Sequence, residues 1–144
     1  MKFGHFDDER KEYVIETPYT PLPWINYLGN EDFFGLISNT AGGYDFYKDA
    51  KMRRITRFRY NNVPQDNGGR MFYISVDNEK AWSPSFMPTK TPLDHYEARH
   101  GLGYSTFQGK KNDISALWAC VVPLGERAAL MMLTIKDNGD RTRS

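Results

Sequence analysis

The chain has 144 residues, 19 basic and 18 acidic side chains, 15% aromatic residues and a single cysteine. That length supports one domain with one core, and the aromatic content excludes a chain too polar to fold. A formal charge of +1 gives no overall pull toward nucleic acid or an anionic membrane, and a lone Cys120 excludes an intramolecular disulfide and a cysteine zinc cluster.

The polar start, Met1-Lys-Phe-Gly-His-Phe-Asp-Asp8, has no apolar stretch of the kind a secretory signal needs, so a cytoplasmic location is the expectation. Residues 12–17 alternate polar and apolar and predict a first strand. Residues 30–37 are a helical candidate interrupted by Gly35. In the loop 40–50, Gly42 and Gly43 predict a sharp turn that projects Tyr44 and Tyr47 from one tip. Further strands are predicted over residues 55–60, 70–76, 94–99, 104–108, 114–122 and 130–135. Breakers rich in Gly, Pro, Asn and Asp separate them. Residues 126–132 suit a helix or a buried strand, and strand is the reading taken. Short strands with turn signals at this spacing predict an all-β, antiparallel β-sandwich. Asp137-Asn-Gly139 signals a hairpin turn with little strand after it. The expectation is a sandwich incomplete at its C-terminus, whose open edge pairs with another copy. The longest apolar run, residues 128–133, is far short of the roughly 20 residues a membrane helix needs.

Candidate chemistry is sparse. His95 and Glu97 share a strand face and His100 takes the other, but a metal site needs three or four converging ligands, so these read as surface or hydrogen-bonded side chains. Asp7/Asp8 and Glu31/Asp32 are sequence neighbours, which surface turns explain better than the fixed carboxyl gap of a glycosidase. No nucleophile elbow, phosphate-binding loop or dinucleotide fingerprint occurs. Residues 51–59 hold five basic residues in nine with interleaved aromatics. Nucleic-acid binding is the sharp reading of that cluster, and the balanced charge with Asp45 and Asp49 nearby argues against it.

Several longer motifs carry a resemblance. They are Gly4-His-Phe-Asp-Asp8, Glu12-Tyr-Val-Ile-Glu-Thr-Pro18, Pro23-Trp-Ile-Asn-Tyr-Leu-Gly29 and Ala41-Gly-Gly-Tyr-Asp-Phe-Tyr-Lys-Asp-Ala50, followed by residues 51–62, 82–88, 96–104 and Val122-Pro-Leu-Gly-Glu126. Over essentially its whole length the chain resembles the N-terminal domain of the disaccharide phosphorylases of glycoside hydrolase family ninety-four, on the cellobiose side of the family rather than the chitobiose side. The resemblance implies a galactose mutarotase-like supersandwich at the start of a larger homodimeric enzyme whose catalytic (α/α)6 barrel is absent here. It implies an enzyme that cleaves cellobiose with inorganic phosphate as co-substrate and no other cofactor, with inversion. The general acid would lie in the barrel, leaving this chain inactive alone. It further implies that the segment matching residues 41–50 reaches the partner subunit's active site, placing Tyr44, Tyr47 and Lys48 near bound sugar. A free-standing carbohydrate-binding or oligomerisation module derived from that domain is the alternative. Carbohydrate and a second copy are the expected partners, with no nucleic acid and no membrane.

Overall fold

The computed structural model describes residues 2–56, 68–140 and 142–144. Among them nine strands form two antiparallel sheets and no helix occurs. The larger sheet orders β1 (Gly4–Asp7), β2 (Glu12–Ile15), β6 (His95–Gly101), β7 (Tyr104–Lys111), β8 (Ile114–Val121) and β9 (Leu130–Asp137). The smaller orders β3 (Ile25–Gly29), β4 (Phe33–Ser38) and β5 (Gly43–Tyr47). The all-β antiparallel expectation holds.

The core lies between the sheets and follows the two-residue period of strands. Ala98, Phe107, Trp118 and Cys120 from the large sheet are fully buried and meet Leu28, Phe33 and Ile37 from the small one. Trp118 stacks on Phe107, its cross-strand neighbour, with centroids 4.7 Å apart, and takes Phe72 edge-on at 5.2 Å. A second cluster of Ile74, Trp82, Ile114 and Ala116 closes the far end.

Buried polar side chains tie the sheets in register. Asn26 on β3 donates its amide to the carbonyls of Gly101 and Tyr104, both at 2.9 Å, and to the Ser105 hydroxyl. His100 spans the same gap, with Nε2 3.1 Å from the Trp24 carbonyl and Nδ1 2.9 Å from the Ser105 hydroxyl. A carbonyl only accepts, so Nε2 carries the proton and Nδ1 accepts from Ser105. Burial pushes the imidazole pKa down, against the Trp24 bond that raises it, which favours this neutral form. Asp45 and Arg70 form an ion pair under β4, with side chains 8% and 5% exposed. Gly35 makes room for it: a Cβ there would lie 2.5 Å from the Asp45 carboxylate.

Several predicted elements differ. The helical candidate at residues 30–37 is the turn into β4 followed by β4 itself. Asn30 accepts from the amides of Asp32 and Phe33, and the strand then pairs on both sides. A helix would have placed Gly35 beside neither neighbour. Residues 70–76 are not a strand: they make isolated bridges only, at Ile74 with Trp82 and, just before, at Gly69 with Gly42. Arg70 turns inward to Asp45 instead of continuing a ladder. Of the predicted strand 55–60, residues 57–60 lie outside the described residues, while Ile55 donates its amide to the Asp45 carbonyl beside β5. Strands β1, β3 and β5 were not expected. Past β9 no return strand follows among the described residues. Asn138 bonds Asp113, Arg143 lies against Asp113 and Asp137, and Ser144 bonds Asp77.

Candidate functional site

Two of the motif segments, residues 41–50 and 122–126, converge at one end of the sandwich. The β3–β4 turn is the link. Asn30 donates its amide to the carbonyls of Pro123 and Glu126, at 3.0 and 2.6 Å, in the connection between β8 and β9. Asp32 in the same turn accepts Lys48 Nζ on one oxygen at 3.3 Å and Arg127 on the other at 3.1 Å. Its backbone carbonyl also takes the Lys48 amide at 2.8 Å. Lys48 sits in the left-handed region at φ 60°, which turns the chain out of β5. The Asp32 hydrogen bond and charge hold the Lys48 ammonium above the usual lysine range.

Tyr47 is the centre of this end. The charged heads of Arg127, Lys48 and Arg53 stand 5.1, 5.4 and 5.6 Å from its ring centroid. Each lies within the range where a ring's negative face attracts a cation. Tyr44 is placed elsewhere. Residues 43–47 form β5 rather than a loop tip, so Tyr44 and Tyr47, three apart, point to opposite faces. Tyr44 is 7% exposed, on the outer face beside Phe46, with the Arg54 guanidinium 4.6 Å over its ring. The sharp turn lies earlier, at Ala41 with φ 65°, where the Ser38 hydroxyl accepts from the Thr40 and Gly42 amides. Of the three site residues named from the sequence, Tyr47 and Lys48 share this end and Tyr44 faces away from it.

Arg53, from the basic segment that the sequence sets beside this loop, completes the cluster together with Asp32 and Arg127, which the sequence did not join to it. Asp32 and Arg127 are 95 positions apart, so no local pattern could pair them.

The other charged cluster lies on the outer face of the large sheet. Arg99 reaches Glu97, Glu12 and Asp7 at 2.6, 2.8 and 3.1 Å, and the Tyr104 hydroxyl donates to Glu12. Burial pushes the Glu12 carboxyl up, but the Tyr104 and Arg99 bonds outweigh it and leave the group below its usual range. This network locks β1, β2, β6 and β7. Among the described residues no group of three His, Cys, Asp or Glu side chains could hold a metal ion, and no helix is long and apolar enough to cross a membrane.

A family model described as "Glycosyl hydrolase 94, supersandwich domain" matches residues 11–144. The chain is 44% identical over 147 residues to the N,N'-diacetylchitobiose phosphorylase of Vibrio furnissii and 42% identical over 146 residues to that of Vibrio proteolyticus. In both cases all of this chain is covered, but only 18% of the relative. It is also 32% identical over 143 residues to the 3-O-beta-D-glucopyranosyl-beta-D-glucuronide phosphorylase of Paenibacillus borealis, covering 99% of this chain and 17% of that protein. The chain therefore spans less than a fifth of the length of these relatives. With its two antiparallel sheets and a match over nearly its whole length, the chain belongs to the glycosyl hydrolase 94 family, as its supersandwich domain.

Proposed function

We propose that this chain is the sugar-facing, non-catalytic domain of an inverting disaccharide phosphorylase. In that reaction a phosphate oxygen attacks the anomeric carbon and the glycosidic C–O bond breaks. A general acid protonates the departing oxygen, releasing one sugar and one sugar 1-phosphate. The acid belongs to a catalytic domain, and this chain supplies contacts to the sugar. The observation that carries the reading is the convergence of residues 41–50 and 122–126 on Tyr47 and Lys48, with Asp32 holding Lys48 in place. Tyr47 offers a ring and hydroxyl and Lys48 an ammonium, while Tyr44 supports β5 from behind. The site acts across a dimer, as the resemblance implies, and inorganic phosphate is a co-substrate.

The sequence resemblance favoured cellobiose. Identity of 42–44% to two N,N'-diacetylchitobiose phosphorylases favours N,N'-diacetylchitobiose as the substrate, with cellobiose the second arm of the test. Self-association uses β9, whose outer edge is unpaired among the described residues and whose Leu130, Met132 and Ile135 are about half or more exposed.

The test uses two proteins: the 144-residue chain alone, and a chimera in which it replaces the matching region of the Vibrio furnissii enzyme. Sugar 1-phosphate release from both disaccharides is measured. The chain alone is expected to be silent and the chimera active, faster on N,N'-diacetylchitobiose. A faster rate on cellobiose would restore the first substrate reading. Activity of the isolated chain, or a folded but inactive chimera, would refute the proposal.

A further inference from the structure

One neutral side chain, Asn30, is hydrogen-bonded to both the β3–β4 turn and the β8–β9 connection. A side-chain amide has two N–H donors and an oxygen with two lone pairs. In Asn30 all of these are used, each on a main-chain group. Its Oδ1 accepts from the amides of Asp32 and Phe33 at 3.1 and 3.0 Å, and its own amide donates to the Phe33 carbonyl at 3.0 Å. Its Nδ2 donates to the carbonyls of Pro123 and Glu126 at 3.0 and 2.6 Å. The oxygen half therefore fixes the turn that carries Asp32, and the nitrogen half holds the chain immediately before Arg127.

The ion pairs at this end do not fix it by themselves. The side chains of Asp32, Lys48 and Arg127 are 30%, 50% and 66% exposed. Ion pairs so open to solvent are weak, because water and salt screen them and both side chains lose freedom in forming them. Lys48 has a second anchor, its own amide on the Asp32 carbonyl at 2.8 Å. Arg127 has no such main-chain anchor among the described residues. It follows Leu124, 89% exposed, and Gly125 at φ 78°. The neutral bonds that bring this connection to the β3–β4 turn are those of the Asn30 amide. Serine at that position keeps an oxygen for the turn amides but is too short to reach the two carbonyls.

We infer that Asn30 is a positioning residue for the Tyr47–Lys48 site: it sets the β8–β9 connection against the β3–β4 turn, so that Arg127 and Lys48 share Asp32 beside the Tyr47 ring. The inference rests on the sugar-facing reading of that end and names the residue that holds it in shape. Asn30 acts through Asp32 and Arg127, and its own polar atoms are spent on main chain. Without its two donors the β8–β9 connection swings free, Arg127 leaves Asp32, and the ring loses one of the cations that fix its orientation.

The experiment has two parts. In the full 144-residue chain, Asn30→Ser is expected to shift the NMR signals of Arg127 Nε and the Tyr47 ring, while the core Trp118 indole signal stays in place. In the chimera, Asn30→Ser, Asp32→Asn and the pair form a double-mutant cycle read as KM and kcat for N,N'-diacetylchitobiose. Asn30→Ser is expected to raise KM about fivefold, the scale of a lost neutral hydrogen bond, with kcat within about twofold. In the Asp32→Asn background the same change is expected to move KM less than about twofold, because the route through Asp32 is already cut. A residue that only stabilised the fold would act alike in both backgrounds. Arg127 and Tyr47 signals that do not move, or equal KM effects in both backgrounds, overturn the inference. So does an unchanged KM in Asn30→Ser where Tyr47→Ala raises it, an outcome that leaves the sugar reading standing. Moved signals with KM unchanged in both Asn30→Ser and Tyr47→Ala support the hold of Asn30 on this end and refute the sugar contact instead.

Discussion

β8 and β9 are neighbours of equal length, hydrogen-bonded in register along all eight residues. Both are rich in apolar residues, yet their surroundings are opposite. On β8, Ile114, Ala116, Trp118 and Cys120 are buried in alternation, Trp118 and Cys120 against the small sheet and Ile114 and Ala116 against Ile74 and Trp82. On β9, every residue but Leu133 is exposed. Apolar composition did not decide burial; what lies across from the strand did. β8 has a ladder on both sides, while β9 has a ladder on one side only among the described residues.

The sharpest way to break this comparison is to truncate one residue on each strand. Trp118→Ala is expected to lose about 3–5 kcal/mol, because it empties the centre of the core and removes the Phe107 stack. Met132→Ala, 61% exposed, is expected to stay within about 0.5 kcal/mol. Urea denaturation of the two variants measures both, and similar losses would erase the distinction.

The Asp45–Arg70 pair gives the next largest effect. Asp45→Asn leaves Arg70 buried without its counter-charge beneath Gly35, and about 3 kcal/mol should be lost. The same substitution at exposed Asp49 should cost far less by the same assay.

A pH series sharpens the view of the inter-sheet contacts. His100 is neutral in the fold, with its pKa depressed by burial below the ordinary value of 6.5. Above that value folded and unfolded chains both carry it uncharged. Below it the unfolded imidazole takes a proton that the folded one resists, so stability falls as the pH drops through the window under 6.5. Denaturation midpoints between pH 5 and 8 should show that fall, and His100→Gln should flatten it. An unchanged slope in the variant would assign the effect to another group.

The smallest effect is expected where β9 is altered without touching the core. Met132→Lys places a charge on the open strand and should leave the melting temperature nearly unchanged. It should also reduce concentration-dependent association seen by light scattering. Equal association in both proteins would remove β9 as the contact.

What could be read from the sequence tracks this division. Strands β6 to β8 were legible because their apolar residues alternate between clear turns, as at Asn112 with φ 52° between β7 and β8, and β9 was legible as an apolar run closed by Asp137-Asn-Gly139. β4 was not, because Phe-Phe-Gly-Leu-Ile carries no alternation: both its faces are buried, Phe34 alone only in part. β5 was hidden behind its glycines. Gly43 beside Gly42 signals a turn, whereas it stands within the ladder opposite Ile37, where a Cβ would strike the Leu36 carbonyl at 2.0 Å. The site was half legible. Tyr47 and Lys48 lie in one motif with Arg53 in the next, but Asp32 and Arg127 join them only through the fold. The inward path of Arg70, and with it the loss of the predicted strand there, depends on an acid 25 positions away.

The central claim is that the Tyr47–Lys48 end of β5 touches the disaccharide, and steady-state phosphorolysis by the chimera tests it most directly. Tyr47→Ala is predicted to raise KM for N,N'-diacetylchitobiose about fivefold, the size of one lost ring contact and neutral hydrogen bond, with Tyr47→Phe in between. Unchanged KM and kcat in both variants, with the fold intact, would contradict it and leave this end of the sandwich a structural clamp.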